Sequence, residues 1–192
     1  MTSVGAPDDP GDASALAIAA TRIWLEKAVI GLNLCPFARS AHVSERIRYV
    51  VSEQRTPHGL REDLRAELRA LFEADEARHE TTLLIHPYTL QRFADYNEFL
   101  TEADLTVAEL GYEGDLQVAS FHPSYRFHGT APGDIENCTN RSPYPMLHLL
   151  REASVERAVN GHPDIEAIPA DNIRTLRALG REGWRLLWEP NP

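Results

Sequence analysis

The sequence predicts an α/β fold: a small parallel or mixed sheet of about three core strands joined by helical crossovers, with a ferredoxin-like α+β arrangement as the alternative. Three observations carry this expectation. Short runs rich in β-branched, aromatic and aliphatic residues at 46–51 (RIRYVV), 81–85 (TTLLI) and 116–121 (LQVASF) read as strands. Long apolar stripes of helical period separate them. The chain, 192 residues and 43% hydrophobic, suits one core.

Residues 1–13 combine Gly, Pro and Asp with no basic side chain, so they are expected to form a disordered acidic tail, leaving 14–192 as a single α/β domain. Leu16, Ala20, Trp24 and Ala28 then recur every four residues, and Gly31 stands where that helix should stop. The segment 31–38, GLNLCPFA, is apolar but broken by Gly and Pro, which predicts a buried or half-buried turn around Cys35. After the first strand, Thr56-Pro57 reads as an N-cap with proline in first position, and Leu60, Leu64, Leu68 and Leu71 form the helical stripe. The aligned Arg61, Arg65 and Arg69 read as a solvated face, because acids interleave with them.

The second strand closes on His86-Pro87. Thr89 is the expected cap of a helix through Phe93, Tyr96, Leu100, Ala103, Val107 and Leu110, which Gly111 ends. The third strand closes on His122-Pro123. Ser142-Pro143 then reads as a helix start, with Met146, Leu147, Leu149, Leu150 and Ala153 on its apolar side. A last helix is expected from Pro169 to Leu179, stopped by Gly180; residues 184–188 fit either an edge strand or a packed tail.

Net charge −10 and a pI near 5.2 disfavour nucleic acid and anionic membrane surfaces as partners, since both demand a basic face. No apolar run approaches the roughly 20 residues of a membrane helix. Two cysteines do not make a disulfide framework, and the N-terminus lacks the pattern of a signal peptide, so a cytoplasmic location is expected.

The chemistry concentrates after the strands. If the second and third strands are parallel, His86 and His122 emerge at the same carboxyl edge, where open α/β sheets bind ligands; the plain alternative is that each ends a strand by bonding a carbonyl. The long loop after His122 also carries His128, Cys138, Asn140 and Arg141. Cys35, His122 and His128 are the candidates for thiol or acid/base catalysis. Asn140, Arg141 and Ser142, with His86, are candidates for binding a small anion, because an expected helix start there would add free N–H groups and a positive dipole. Cys138 and His148, with the same histidines and Cys35, are candidate ligands for zinc or iron, although no CxxC or HExxH is present.

The segments GLNLCPFA, TTLLIHP, QVASFHP and TNRSPYPMLHLLREAS, in this order and spacing, resemble the bacterial family catalogued as domain of unknown function 1415. The resemblance runs from about Trp24 to Leu179. Its signature blocks fall on Cys35, His122, Asn140, Arg141 and His148, and it implies no activity. The residues themselves favour an enzyme using Cys/His chemistry on a small anionic metabolite, with a metal-dependent branch; the alternative is a non-catalytic module that binds a metabolite or docks on a protein.

Overall fold

A computed structural model describes residues 10–161 and 164–188, and most of the expected acidic tail therefore lies outside the described residues. Helix α1 spans Pro10–Trp24, starting before Ser14, and runs on without a break into a π-helical turn, Leu25–Ile30. Gly31 does not end it in a left-handed conformation; its φ is −63° and Asn33 takes the positive φ of 54° instead. Glycine is required at Gly31 for closeness, since a Cβ there would lie 2.2 Å from the Lys27 carbonyl oxygen. A short helix, α2 (Ala38–Val43), follows the Cys35 turn.

Strand β1 (Ile47–Val51) leads to α3 (Pro57–Glu73), where the Thr56 hydroxyl accepts from the Gly59 N–H at 3.1 Å, the expected cap. Strand β2 (Thr81–Ile85) leads to α4 (Phe93–Glu109), and β3 (Leu116–Phe121) follows. Thr89 does not cap α4: Arg92 holds the N-cap position, and the Thr89 hydroxyl donates to the Gln54 carbonyl, tying this loop to the one after β1. On the far side of α3, Arg61 and Arg65 pair with Glu109 of α4, so two of the three arginines read as a solvated face clamp one helix to the other.

The largest departure from expectation follows the long loop. After a 3-10 helix (Ile135–Asn140), Ser142 and Pro143 lead into a strand, β4 (Met146–Arg151), and helix starts only at α5 (Glu152–Asn160). Met146, Leu147 and Leu149 are each fully buried. A strand packed on both faces loses the polar/apolar alternation that marks a strand, and a short apolar run then reads equally well as helix. The chain closes with α6 (Ile168–Trp188), broken at Gly180 (φ 72°, ψ 172°); the segment beyond the break is helix that packs Trp184 and Leu187 on the core, the packed tail and not the edge strand.

The sheet has four strands in the order β1-β2-β4-β3, with β1 and β2 parallel and β4 antiparallel to both neighbours. Strands β1, β2 and β3 therefore run the same way and end at one edge, where β4 begins. Leu83, Ile85 and Met146 pack against α1, the π-helical turn and α6, while Leu84, Leu147, Leu149 and Leu116 pack against α3 and α4. Helices cover both faces. This makes a mixed three-layer α/β protein and excludes the ferredoxin-like alternative, which keeps its helices on one face.

Candidate functional site

The common edge of β1, β2 and β3 does bring His86 and His122 together, with Tyr96 of α4 between them: ring centroids are 5.7 Å apart for His86–Tyr96 and 5.1 Å for Tyr96–His122. Each histidine is held by a backbone carbonyl of the β2–α4 loop. His86 Nδ1–H donates to Thr89 O at 3.0 Å, and His122 Nε2–H donates to Leu90 O at 3.2 Å while its Nδ1 accepts from the Ser124 N–H at 2.9 Å. Leu90 adopts a φ of 57°, a left-handed conformation that a bulky side chain rarely takes, and these bonds help hold it. Both rings are buried, which disfavours the imidazolium and lowers their pKa, to about 4 for His86. His122 has no nitrogen left for a substrate. His86 keeps an unpartnered Nε2, sealed from solvent. The pair buttresses a strained turn.

The sheet separates these histidines from the thiols. His86, Tyr96 and His122 lie on the α3/α4 side, whereas Cys35 and Cys138 pack with the core on the α1/α6 side. Burial raises the pKa of both thiols; backbone N–H groups of Phe37 and Ala38 pull Cys35 back partway, and Arg141 and Arg181 do the same for Cys138. Neither is a thiolate at neutral pH. His128 is exposed on the loop. His148 sits in the middle of β4, where its Nε2 meets the Thr81 hydroxyl at 2.8 Å and enclosure of the ring lowers its pKa to about 4. Among the described residues, no group of three or more His, Cys, Asp or Glu is placed to hold a metal ion, so Cys138 and His148 gain no partners for zinc or iron.

The loop 123–141 is an ordered structure built on Asn137, which is fully buried. Its side-chain oxygen accepts from the Phe127 N–H at 2.9 Å and the Thr130 hydroxyl at 2.8 Å, and its amide donates to Ala131 O at 2.8 Å. Asn140 staples the loop to β3, donating to Ser120 O at 3.1 Å and accepting from the His122 N–H at 3.2 Å. Ser142 is buried and donates to Tyr144 O at 2.6 Å. With no helix starting at Pro143, the dipole and free N–H groups expected beside Arg141 do not exist.

Arg141 nonetheless faces a cavity. Its guanidinium donates to the carbonyls of Tyr125 and Pro132 and approaches Cys138 Sγ at 4.0 Å, while its own carbonyl accepts from Trp24 Nε1 at 2.8 Å. With Asp134, Ile135, Cys138, Arg181 and Trp184 it lines a pocket of about 180 Å³ between the 3-10 helix and α6. Sequence reasoning missed Arg181 and Trp184, which reach this pocket from beyond the Gly180 break; the nearest signal was that glycine, read only as a stop. Gly133 leaves the room, since a Cβ there would lie 2.8 Å from Arg181 Nη2. Neither Arg141 nor Arg181 has a carboxylate partner within ion-pair distance among the described residues, although many other arginines do.

Fold and pocket together define a three-layer α/β protein whose histidine-buttressed sheet edge supports an arginine-bearing loop. The chain belongs to the family described as Protein of unknown function (DUF1415), whose model matches residues 16–186. No curated protein and no solved structure matches it. Among the described residues, no helix is long and apolar enough to cross a membrane.

Proposed function

We propose that the protein is a metabolite-binding module that holds a small organic anion, a carboxylate or phosphate monoester, between Arg141 and Arg181. One observation carries the reading: two guanidiniums without carboxylate partners line the same concave site of an acidic chain of net charge −10. Other arginines do find carboxylates, as Arg61 and Arg65 do at Glu109, whereas the one carboxylate in this pocket, Asp134, accepts from the Ala131 N–H instead. Arg141 is half-buried and held by two carbonyls, so its donors are pre-aimed; Arg181 is exposed and closes from α6. Trp184 and Ile135 provide the apolar wall that a short hydrocarbon portion would cover. The placement of Cys35 and His122 on opposite faces of the sheet favours this binding reading over thiol chemistry assisted by His122.

Isothermal titration with inorganic phosphate, a short phosphate monoester and a short monocarboxylate at low ionic strength tests it. Losing one charge-assisted pair costs about 1.5–3 kcal/mol, so Arg181→Gln should weaken the best of these ligands roughly 10–100-fold and leave the melting temperature unchanged. Equal affinity of the variant and the parent, or no saturable binding to the parent, would sink the proposal.

A further inference from the structure

We propose a second, separate site at the β1 edge of the sheet, which binds a zwitterionic small molecule of the α-amino acid class. It is built from the end of α1, the π-helical turn, α2 and β1, and encloses about 580 Å³, a volume typical of small-molecule pockets. Its lining carries both signs of charge: Arg22, Glu26, His42 and Glu45 stand around Tyr49.

Three features of that lining ask for a ligand. The Tyr49 hydroxyl is shut off from solvent yet has no hydrogen-bond partner in the protein, and a buried hydroxyl left unpaired is costly enough to need an explanation. Burial keeps this phenol protonated, its pKa raised despite the pull of Arg22, so it has a proton to donate. The second feature is Arg22, whose guanidinium lies 4.1 Å above the Tyr49 ring and has no carboxylate partner among the described residues. The third is the helix itself. Arg22 and Glu26 stand four apart, the spacing at which an α-helix pairs opposite charges, but the chain passes there into a π-helical turn, a feature that often marks functional sites. The two do not pair with each other. Glu26 turns instead to His42, 3.5 Å away.

A carboxylate accepts from Arg22 and, as that exposed guanidinium swings off the Tyr49 ring to meet it, from the Tyr49 hydroxyl, satisfying both. An ammonium on the same ligand finds the carboxylates of Glu26 and Glu45 in the same lining. A plain anion would leave the two carboxylates facing it, and a plain amine would leave Arg22 and the phenol unserved, so the mixed lining selects a molecule bearing both groups. None of these residues belongs to the Arg141–Arg181 pocket, and the two proposals stand independently.

The test is binding of free L-α-amino acids, each compared with the amine and the carboxylate that lack its other group, followed by NMR of the Tyr49 ring resonances. At least one amino acid should bind saturably, about tenfold or more tighter than either matched fragment. Arg22→Gln and Tyr49→Phe should each weaken it about tenfold or more, and Arg181→Gln should leave it unchanged. The proposal is overturned if no amino acid in the panel shifts the Tyr49 resonances at millimolar concentration, if a fragment binds as tightly as its parent, or if Arg22→Gln and Tyr49→Phe both bind like wild type.

Discussion

His86 should make this protein acid-labile in a defined window. In the unfolded chain its pKa is near 6.5; burial against Tyr96 lowers it to about 4 in the folded state. Above pH 6.5 both states hold the ring neutral and the folded state pays nothing. As the pH falls below 6.5 the unfolded chain takes up a proton that the folded one refuses, so stability is lost progressively until about pH 4. At ~1.4 kcal/mol for each pH unit between the two values, the interval from 6.5 to about 4 removes about 3 kcal/mol at this residue. That is a large part of the ~5–15 kcal/mol that holds a typical domain together. His148 has the same interval, and the lowered pKa values of His79 and His122 act in the same direction. The lowered carboxylates Glu109, Glu136 and Glu182 start from 4.5 and lose their contribution below it, so their effect falls beneath the histidine window. The perturbation is His86→Asn, whose amide keeps a donor for the Thr89 carbonyl but does not titrate. Urea unfolding followed by circular dichroism at half-unit steps of pH measures it. The variant should lose stability with falling pH less steeply, by up to ~1.4 kcal/mol per pH unit. A wild-type slope in His86→Asn between pH 6.5 and 4 would refute the assignment of a buried, neutral His86.

Two further outcomes follow from the same packing. Gly31→Ala should cost about 1–3 kcal/mol, measured by chemical unfolding, because the new Cβ must displace the Lys27 carbonyl 2.2 Å away; a neutral substitution would mean that the turn relaxes freely. Alkylation of Cys35 and Cys138 in the folded protein should be slower at neutral pH than in a denatured control and should accelerate only above the ordinary thiol range, since burial raises both pKa values. Labelling as fast as the control contradicts that.

Where the polypeptide alternates cleanly between the two periods, its fold was legible from sequence. β2 and β3 fall on the expected residues because β-branched and aromatic side chains and a closing His-Pro pair mark each run, and Leu60, Leu64, Leu68 and Leu71 form a fully buried stripe because α3 turns one face to the core. Reading failed at Met146–Arg151 for the opposite reason. β4, like β2, is covered on both faces, but its run MLHLLR carries no β-branched residue to mark a strand, and it follows a Ser-Pro pair that reads as a helix start. The cost of that one error is instructive: a strand read as a helix removes a sheet member, changes the sheet from mixed to nearly parallel, and invents a helix dipole at Ser142.

The site shows a different limit. Local sequence indicated correctly that His86 and His122 end strands at one common edge of the sheet, yet which side of the sheet each side chain takes depends on register, and register decided the chemistry. Leu84 and His86 fall on the α4 side, as do Leu116, Val118 and then His122, while Phe121 turns to the other face and meets Trp24 at 5.3 Å. One residue of shift would have sent His122 toward the Cys35 core and made a thiol–imidazole pair feasible. Arg141 survives as a candidate for a reason unrelated to the one that first singled it out: no helix begins beside it, but Gly180 breaks α6 and brings Arg181 opposite, across a gap that Gly133 keeps open. The placement of the second arginine thus depends on a glycine: Gly180 takes the positive φ at which α6 breaks just before Arg181. A Cβ at Gly133 would only push aside the flexible end of Arg181, whereas one at Gly180 would oppose the positive φ that turns the last helix toward the loop.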